Sequence, residues 1–191
     1  HAPVAAAADE FETGGDYGRL VYYRASAVFR TVDRVYDGAF ERALERYTRA
    51  QRFRHPGPSA LLDEIEREGG SSLRSVLEAA LFERATIDFR AALDADGGAT
   101  ITKRGDLVLP VDVSVTDANG GTRTLEWDGR GTRFAVPRGD ADLVEAVVDP
   151  GHRVLVDENL LDNYACRAPG GAPRTSVIAL YGWQLLASGI L

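Results

Sequence analysis

The hydrophobic period of this sequence changes once, near residue 85, and that change limits the fold more than any other feature. Before it, apolar residues recur every three or four positions. Leu20, Val21, Ala25, Val28, Phe29, Val32 and Val35 form one stripe between Tyr17 and Tyr36, which predicts a helix with a single buried face. Asp37-Gly38 breaks that run, and a second stripe of Phe40, Ala43, Leu44, Tyr47 and Ala50 predicts a helix over about 39–53, ended by His55-Pro56-Gly57-Pro58. Ser59 is placed to cap a short helix carrying Leu61, Leu62 and Ile65, which stops at Gly69-Gly70. Ser71 or Ser72 then caps a fourth, with Leu73, Val76, Leu77, Ala80 and Leu81 on one face.

Beyond residue 85 the period is two. Ile87/Phe89, Val111/Val113/Val115, Leu125/Trp127, Phe134/Val136 and Val154/Val156 read as strands. Turn signals separate them at Asp96-Gly97-Gly98, Arg104-Gly105-Asp106, Asn119-Gly120-Gly121, Asp128-Gly129 and Asp149-Pro150-Gly151. Pro110 confines its apolar run to an edge, a bulge or a strand start, because proline has no N–H to give to a ladder. The order of elements predicts an α+β chain: a helical segment at 17–84 after a linker at 1–16, then a seven-stranded antiparallel β-sandwich at 85–165. A Pro/Gly-rich linker at 166–174 leads to an uncharged run at 175–191, expected to be an apolar C-terminal helix. That run is shorter than the roughly 20 residues of a membrane-spanning helix. It reads as a buried core helix, a truncated membrane segment through which the chain would associate with lipid, or an amphipathic tail.

Charge and cysteine content exclude several classes of function. Lys plus Arg number 22 against 29 acidic residues, a net charge of −7, which disfavours nucleic acid and anionic membrane as general partners. Lys103 is the single lysine, a bias shared by GC-rich coding and by lysine-poor salt-adapted surfaces. Cys166 is the single cysteine, so neither an intramolecular disulfide nor a four-cysteine zinc site can form. No methionine occurs, even at position 1, which is the expectation for a chain beginning inside a longer reading frame or after processing.

Few residues offer chemistry. His1, His55 and His152 are the only histidines; no two stand four apart on a helix, and H-E-x-x-H is absent, so no metal ligand is assigned. A free N-terminal His1 could chelate copper, a reading set below that of a fragment end. Asp94-Ala95-Asp96-Gly97-Gly98 opens like a calcium loop but lacks the later oxygen ligands, and reads as a hairpin turn. Arg42, Arg46 and Arg49, interleaved with Glu41 and Glu45, read as a solvated ion-pair face. Nucleophile elbow, P-loop and dinucleotide fingerprints are all missing. By residue pattern alone, Tyr22 and Tyr23 are core or interface packing.

Several short motifs nevertheless occur in a telling order. Val21-Tyr22-Tyr23-Arg24-Ala25 is followed by Gly38-Ala39-Phe40, Tyr47 and Arg52-Phe53-Arg54-His55-Pro56. Then come Leu109-Pro110-Val111, Trp127-Asp128-Gly129, Val148-Asp149-Pro150, Val156-Asp157-Glu158-Asn159 and Asp162-Asn163. Over roughly residues 16–165 this series resembles the aminopeptidase N-type gluzincins, a family of zinc metallopeptidases. The resemblance implies that residues 17–84 are the helical C-terminal portion of a thermolysin-like catalytic domain and that the β-sandwich is the domain behind it. It implies that Tyr22 is the catalytic tyrosine, whose phenol donates to the oxyanion of the tetrahedral intermediate. A phenol, with an ordinary pKa of about 10, keeps that proton at neutral pH.

The resemblance further implies a parent protein that binds zinc and takes peptide substrates. Its zinc ligands, general base and recognition loop would lie upstream of His1, so this chain alone would bind no zinc and hydrolyse nothing. Two departures stand out: Arg24-Ala25 where the family has Lys-Gly, and Asp162-Asn163 where it has paired asparagines. The alternative expectation is a non-catalytic scaffold or protein-interaction module derived from the same family.

Overall fold

The stripe beginning at Tyr17 folds as one helical run, but not as one kind of helix. In the structure, a computed structural model that describes residues 2–167, α1 (Gly14–Tyr17) passes into a π-helical segment, Gly18–Arg24, and then into α2 (Ala25–Val35). The π segment is marked by the Ala25 N–H, which reaches back five residues to the Leu20 carbonyl. Val28, Thr31, Val32 and Val35 are the buried face of α2, and Ala39 and Ala43 that of α3 (Ala39–Ala50). The two helices lie close enough for Phe29 and Phe40 to stack at 4.6 Å.

The two helices expected after Pro56 are a single span, α4 (Pro58–Phe82), bent at Gly70, whose φ of 75° and ψ of −179° are not helical. Leu62 and Ile65 before the bend and Leu73, Val76, Leu77 and Ala80 after it are all buried. Arg74 braces the bend: its guanidinium reaches Asp63 (2.8 Å) and Glu66 (2.9 Å) on one side and Glu78 (3.0 Å) on the other. The helix starts two residues earlier than a cap at Ser59 would place it. Gly57 is the N-cap and Pro58 occupies the first turn, where a missing N–H is no loss and the fixed φ is already helical. Arg42 and Arg46 of α3 both pair with Glu68 of α4, at 3.3 and 2.6 Å, and Arg49 pairs with Glu45. The ion-pair face expected on α3 is thus mostly an α3–α4 contact.

These helices form the first of two units, which gathers residues 2–86 together with Arg153–Val156; Ile87–His152 and residues 157–167 belong to the second. Residues 2–16, read as a linker, carry contacts of their own: Val4 is buried and the Ala5 N–H donates to Leu81 O at 2.9 Å.

The stretch holding Val154 and Val156 is not a strand, contrary to its alternation. It is a loop seated on α2. The Arg153 guanidinium donates to Arg34 O (2.6 Å) and Val35 O (2.9 Å), carbonyls that the end of a helix leaves without intrahelical donors. The Leu155 N–H donates to the buried Thr31 hydroxyl at 2.9 Å. Val154 and Val156 are both buried although neither lies in a strand.

Among the described residues of the second unit, seven strands form two antiparallel sheets. One has the order β1 (Asp88–Leu93), β2 (Ala99–Arg104), β5 (Arg133–Val136); the other β4 (Thr122–Trp127), β3 (Val111–Asp117), β6 (Leu143–Val148), β7 (Tyr164–Cys166). The strands absent from the alternation signal are β2, β6 and β7, so the count of seven is met by different segments. Val111, Val113 and Val115 of β3 pair with Trp127, Leu125 and Arg123, and all three are buried. Pro110 stands just before β3, the strand-start position open to it. Leu107 and Leu109, ahead of it, are buried without being strand. Phe89 of β1 meets Trp127 of β4 edge-on at 5.7 Å, and Trp127 stacks on the half-buried Phe134 of β5 at 5.7 Å, so aromatic rings from the two sheets are in contact. Cys166 closes β7 rather than opening a linker. Residues 168–174 and the apolar run 175–191 lie outside the described residues, and within these no helix is long and apolar enough to cross a membrane.

Candidate functional site

Tyr22 lies in the π segment, and the backbone around it is tied down on both sides. Ahead of it, the Thr13 hydroxyl caps α1 by accepting from Asp16 N (3.0 Å) and donates to Asp16 Oδ2 (2.8 Å), while Arg19 pairs with Asp16 Oδ1 at 2.8 Å. Behind it, Ser26 Oγ donates to the Tyr22 carbonyl at 2.6 Å. The guanidinium of Arg24 donates to Ala85 O at 2.7 Å, fastening this turn to the chain just past α4.

The side chains here face outward. Tyr22 is 63% exposed and Tyr23 54%, which removes the core reading of the pair. An edge-to-face series runs along this surface: Phe11 against Tyr17 at 5.3 Å, and Tyr17 against Tyr22 at 5.9 Å with an interplanar angle of 82°. Five positions separate Tyr17 from Tyr22, a spacing that helical periodicity does not pair, so the sequence offered no signal for Tyr17. A phenol held outward on a braced helix can donate a hydrogen bond to an anion brought to it. The groove between α2 and α3, of about 330 Å³ and lined by Phe29, Asp33, Phe40 and Leu44 among others, does not include Tyr22.

His55 is exposed after α3, and His152 sits in a turn at φ 50°, its N–H donating to Asp149 O. His1 lies outside the described residues. Among those described, no three His, Cys, Asp or Glu side chains converge as a metal's donor set would. The calcium-like run is the β1–β2 turn. Asp96 Oδ1 accepts from Gly98 N at 3.0 Å and Asp94 Oδ2 from the Thr100 hydroxyl at 2.7 Å, so both carboxylates are engaged within the hairpin.

No protein-family model and no curated protein matches this chain. In fold it is similar to part of a solved structure, that of Legionella pneumophila aminopeptidase A in complex with aspartic acid. The likeness covers 78% of this chain and 19% of that one, with a TM-score of 0.53 and 13% identity. At that identity the likeness is one of fold. The chain spans about a fifth of the length of the aminopeptidase it matches.

Proposed function

We propose that this chain is the C-terminal part of a zinc-dependent, aminopeptidase-like metallopeptidase of the gluzincin type. In this reading the helical unit completes the catalytic domain and presents Tyr22, and the two sheets form the supporting β-sandwich. Zinc and its ligands belong to the parent protein, and peptide is its substrate. The observation that carries the reading is the fold likeness to a segment of an aminopeptidase, extending over 78% of the chain and across both units. The outward phenol of Tyr22, on a segment fastened by Arg24 and capped by Thr13, agrees with a group that donates to an oxyanion. Arg24, where the family has lysine, is engaged with the Ala85 carbonyl, and that contact is compatible with either an active or a scaffold parent.

The test uses the polypeptide expressed from the complete reading frame, assayed on aminoacyl p-nitroanilides. Turnover that a chelator abolishes, and that Tyr22→Phe lowers by about 10²–10³-fold, is the expected result, since one oxyanion donor contributes roughly 2.7–4 kcal/mol to the barrier. Full turnover in Tyr22→Phe would remove the catalytic role. A polypeptide without H-E-x-x-H and without turnover would leave the scaffold reading.

A further inference from the structure

The π segment has a geometric consequence at Tyr22. Residues five apart on an α-helix point roughly 140° away from each other, because each residue advances the helix by a 3.6th of a turn. Where hydrogen bonds close five residues back, the wider turn brings residues five apart round to the same side of the helix. Gly18–Arg24 is such a segment, and it brings Tyr17 and Tyr22 into edge-to-face contact at 5.9 Å and 82°, within the geometry aromatic pairs prefer. Without that contact, a side chain 63% exposed would have several rotamers open to it.

We infer that Tyr17 is a positioning residue for Tyr22, holding the catalytic phenol in one orientation through the register that the π segment creates. The inference rests on the reading of Tyr22 as the oxyanion donor. Tyr17 is suited to the task because it is itself fixed. Its other neighbour is Phe11, edge-on at 5.3 Å, and it ends α1, whose first turn is capped by Thr13. The ring makes the contact, so the role belongs to the aromatic edge and not to the Tyr17 hydroxyl.

Two measurements test this. In the 191-residue chain with ring-labelled tyrosine, the NMR signal of Tyr22 is assigned by its loss in Tyr22→Phe. Its ring-current shift should disappear in Tyr17→Leu and persist in Tyr17→Phe; an unchanged Tyr22 signal in Tyr17→Leu overturns the inference. In the polypeptide from the complete reading frame, Tyr17→Leu should lower kcat by about tenfold or more with KM unchanged, as misplacement of a reacting group does, and Tyr17→Phe should restore it. If Tyr22→Phe loses turnover while Tyr17→Leu keeps it, the positioning role fails and the function stands. If Tyr22→Phe keeps full turnover, the catalytic reading fails and the positioning role goes with it.

Discussion

Asp157 shows what burial does to a single carboxyl. It is 7% exposed, and desolvation, reinforced by the neighbouring charge of Asp88, raises its pKa to about 6. Hydrogen bonds from Asn163 Nδ2 (2.8 Å) and Asn159 N (3.0 Å), and from the Phe89 backbone, pull the other way without overcoming it. Asp162 is raised for the same reasons, burial first and Asp88 second, and each of these two neighbours keeps a buried carboxylate oxygen without a partner. The folded chain therefore binds more protons than the unfolded one between about pH 4 and 6. The stabilisation is fully present below the unfolded pKa and is lost as the pH rises through about 6, by at most about 3 kcal/mol for Asp157. Urea midpoints should accordingly fall from about pH 4 to about pH 6, and Asp157→Asn should flatten that dependence; an equal slope in the variant would refute the assignment. The sequence marks Asp157 only as part of a motif, since burial is what alters its chemistry. Lys103 makes the same point. Composition singles it out as the only lysine, and the fold buries it to 6% exposure with Nζ donating to Leu107 O at 2.8 Å, so desolvation lowers its pKa.

Among the elements, helices were readable where their apolar period was regular and turns where glycine was required. The bend at Gly70 falls where Gly69-Gly70 predicts a stop, yet helix continues on both sides of it as one bent span, with Arg74 joining carboxylates before and after the bend. The turn after β4 is equally specific. Gly129 has a φ of 72°, and a Cβ there would lie 2.0 Å from the Leu109 carbonyl oxygen. Gly129→Ala should therefore destabilise the chain by about 3 kcal/mol or more, strain at positive φ adding to the clash; a loss below about 1 kcal/mol in urea unfolding would contradict this. The π segment escaped the sequence because Leu20, Val21 and Ala25 satisfy α and π spacing alike over so short a run. The strands β2, β6 and β7 escaped it for a related reason: Val147 and Val148 are adjacent, β7 has three residues, and β2 buries Ala99, Thr100 and Ile101 in succession, so none alternates cleanly.

For the whole molecule, the informative segment is Arg153–Val156, which returns to helices laid down more than a hundred residues earlier. Thr31 is 1% exposed and its hydroxyl accepts the Leu155 N–H, so Thr31→Val leaves that half-buried donor without its acceptor and should cost about 1 kcal/mol in thermal or urea unfolding. Thr31→Ser, which keeps the hydroxyl, should lose less. The sequence by itself determined the α+β order, the helical stripes and most turns, because hydrophobic period and glycine placement are local properties read from a few neighbouring residues. Tyr22 it marked only as a candidate, through the order of short motifs. Only the tertiary structure decided that Val154 and Val156 lie in a buried loop and not in a strand, that Tyr22 is outward with Tyr17 beside it, and that Asp157 is buried. Each of these depends on contacts between distant residues or on which hydrogen bond a backbone amide takes, and neither is written in a local pattern.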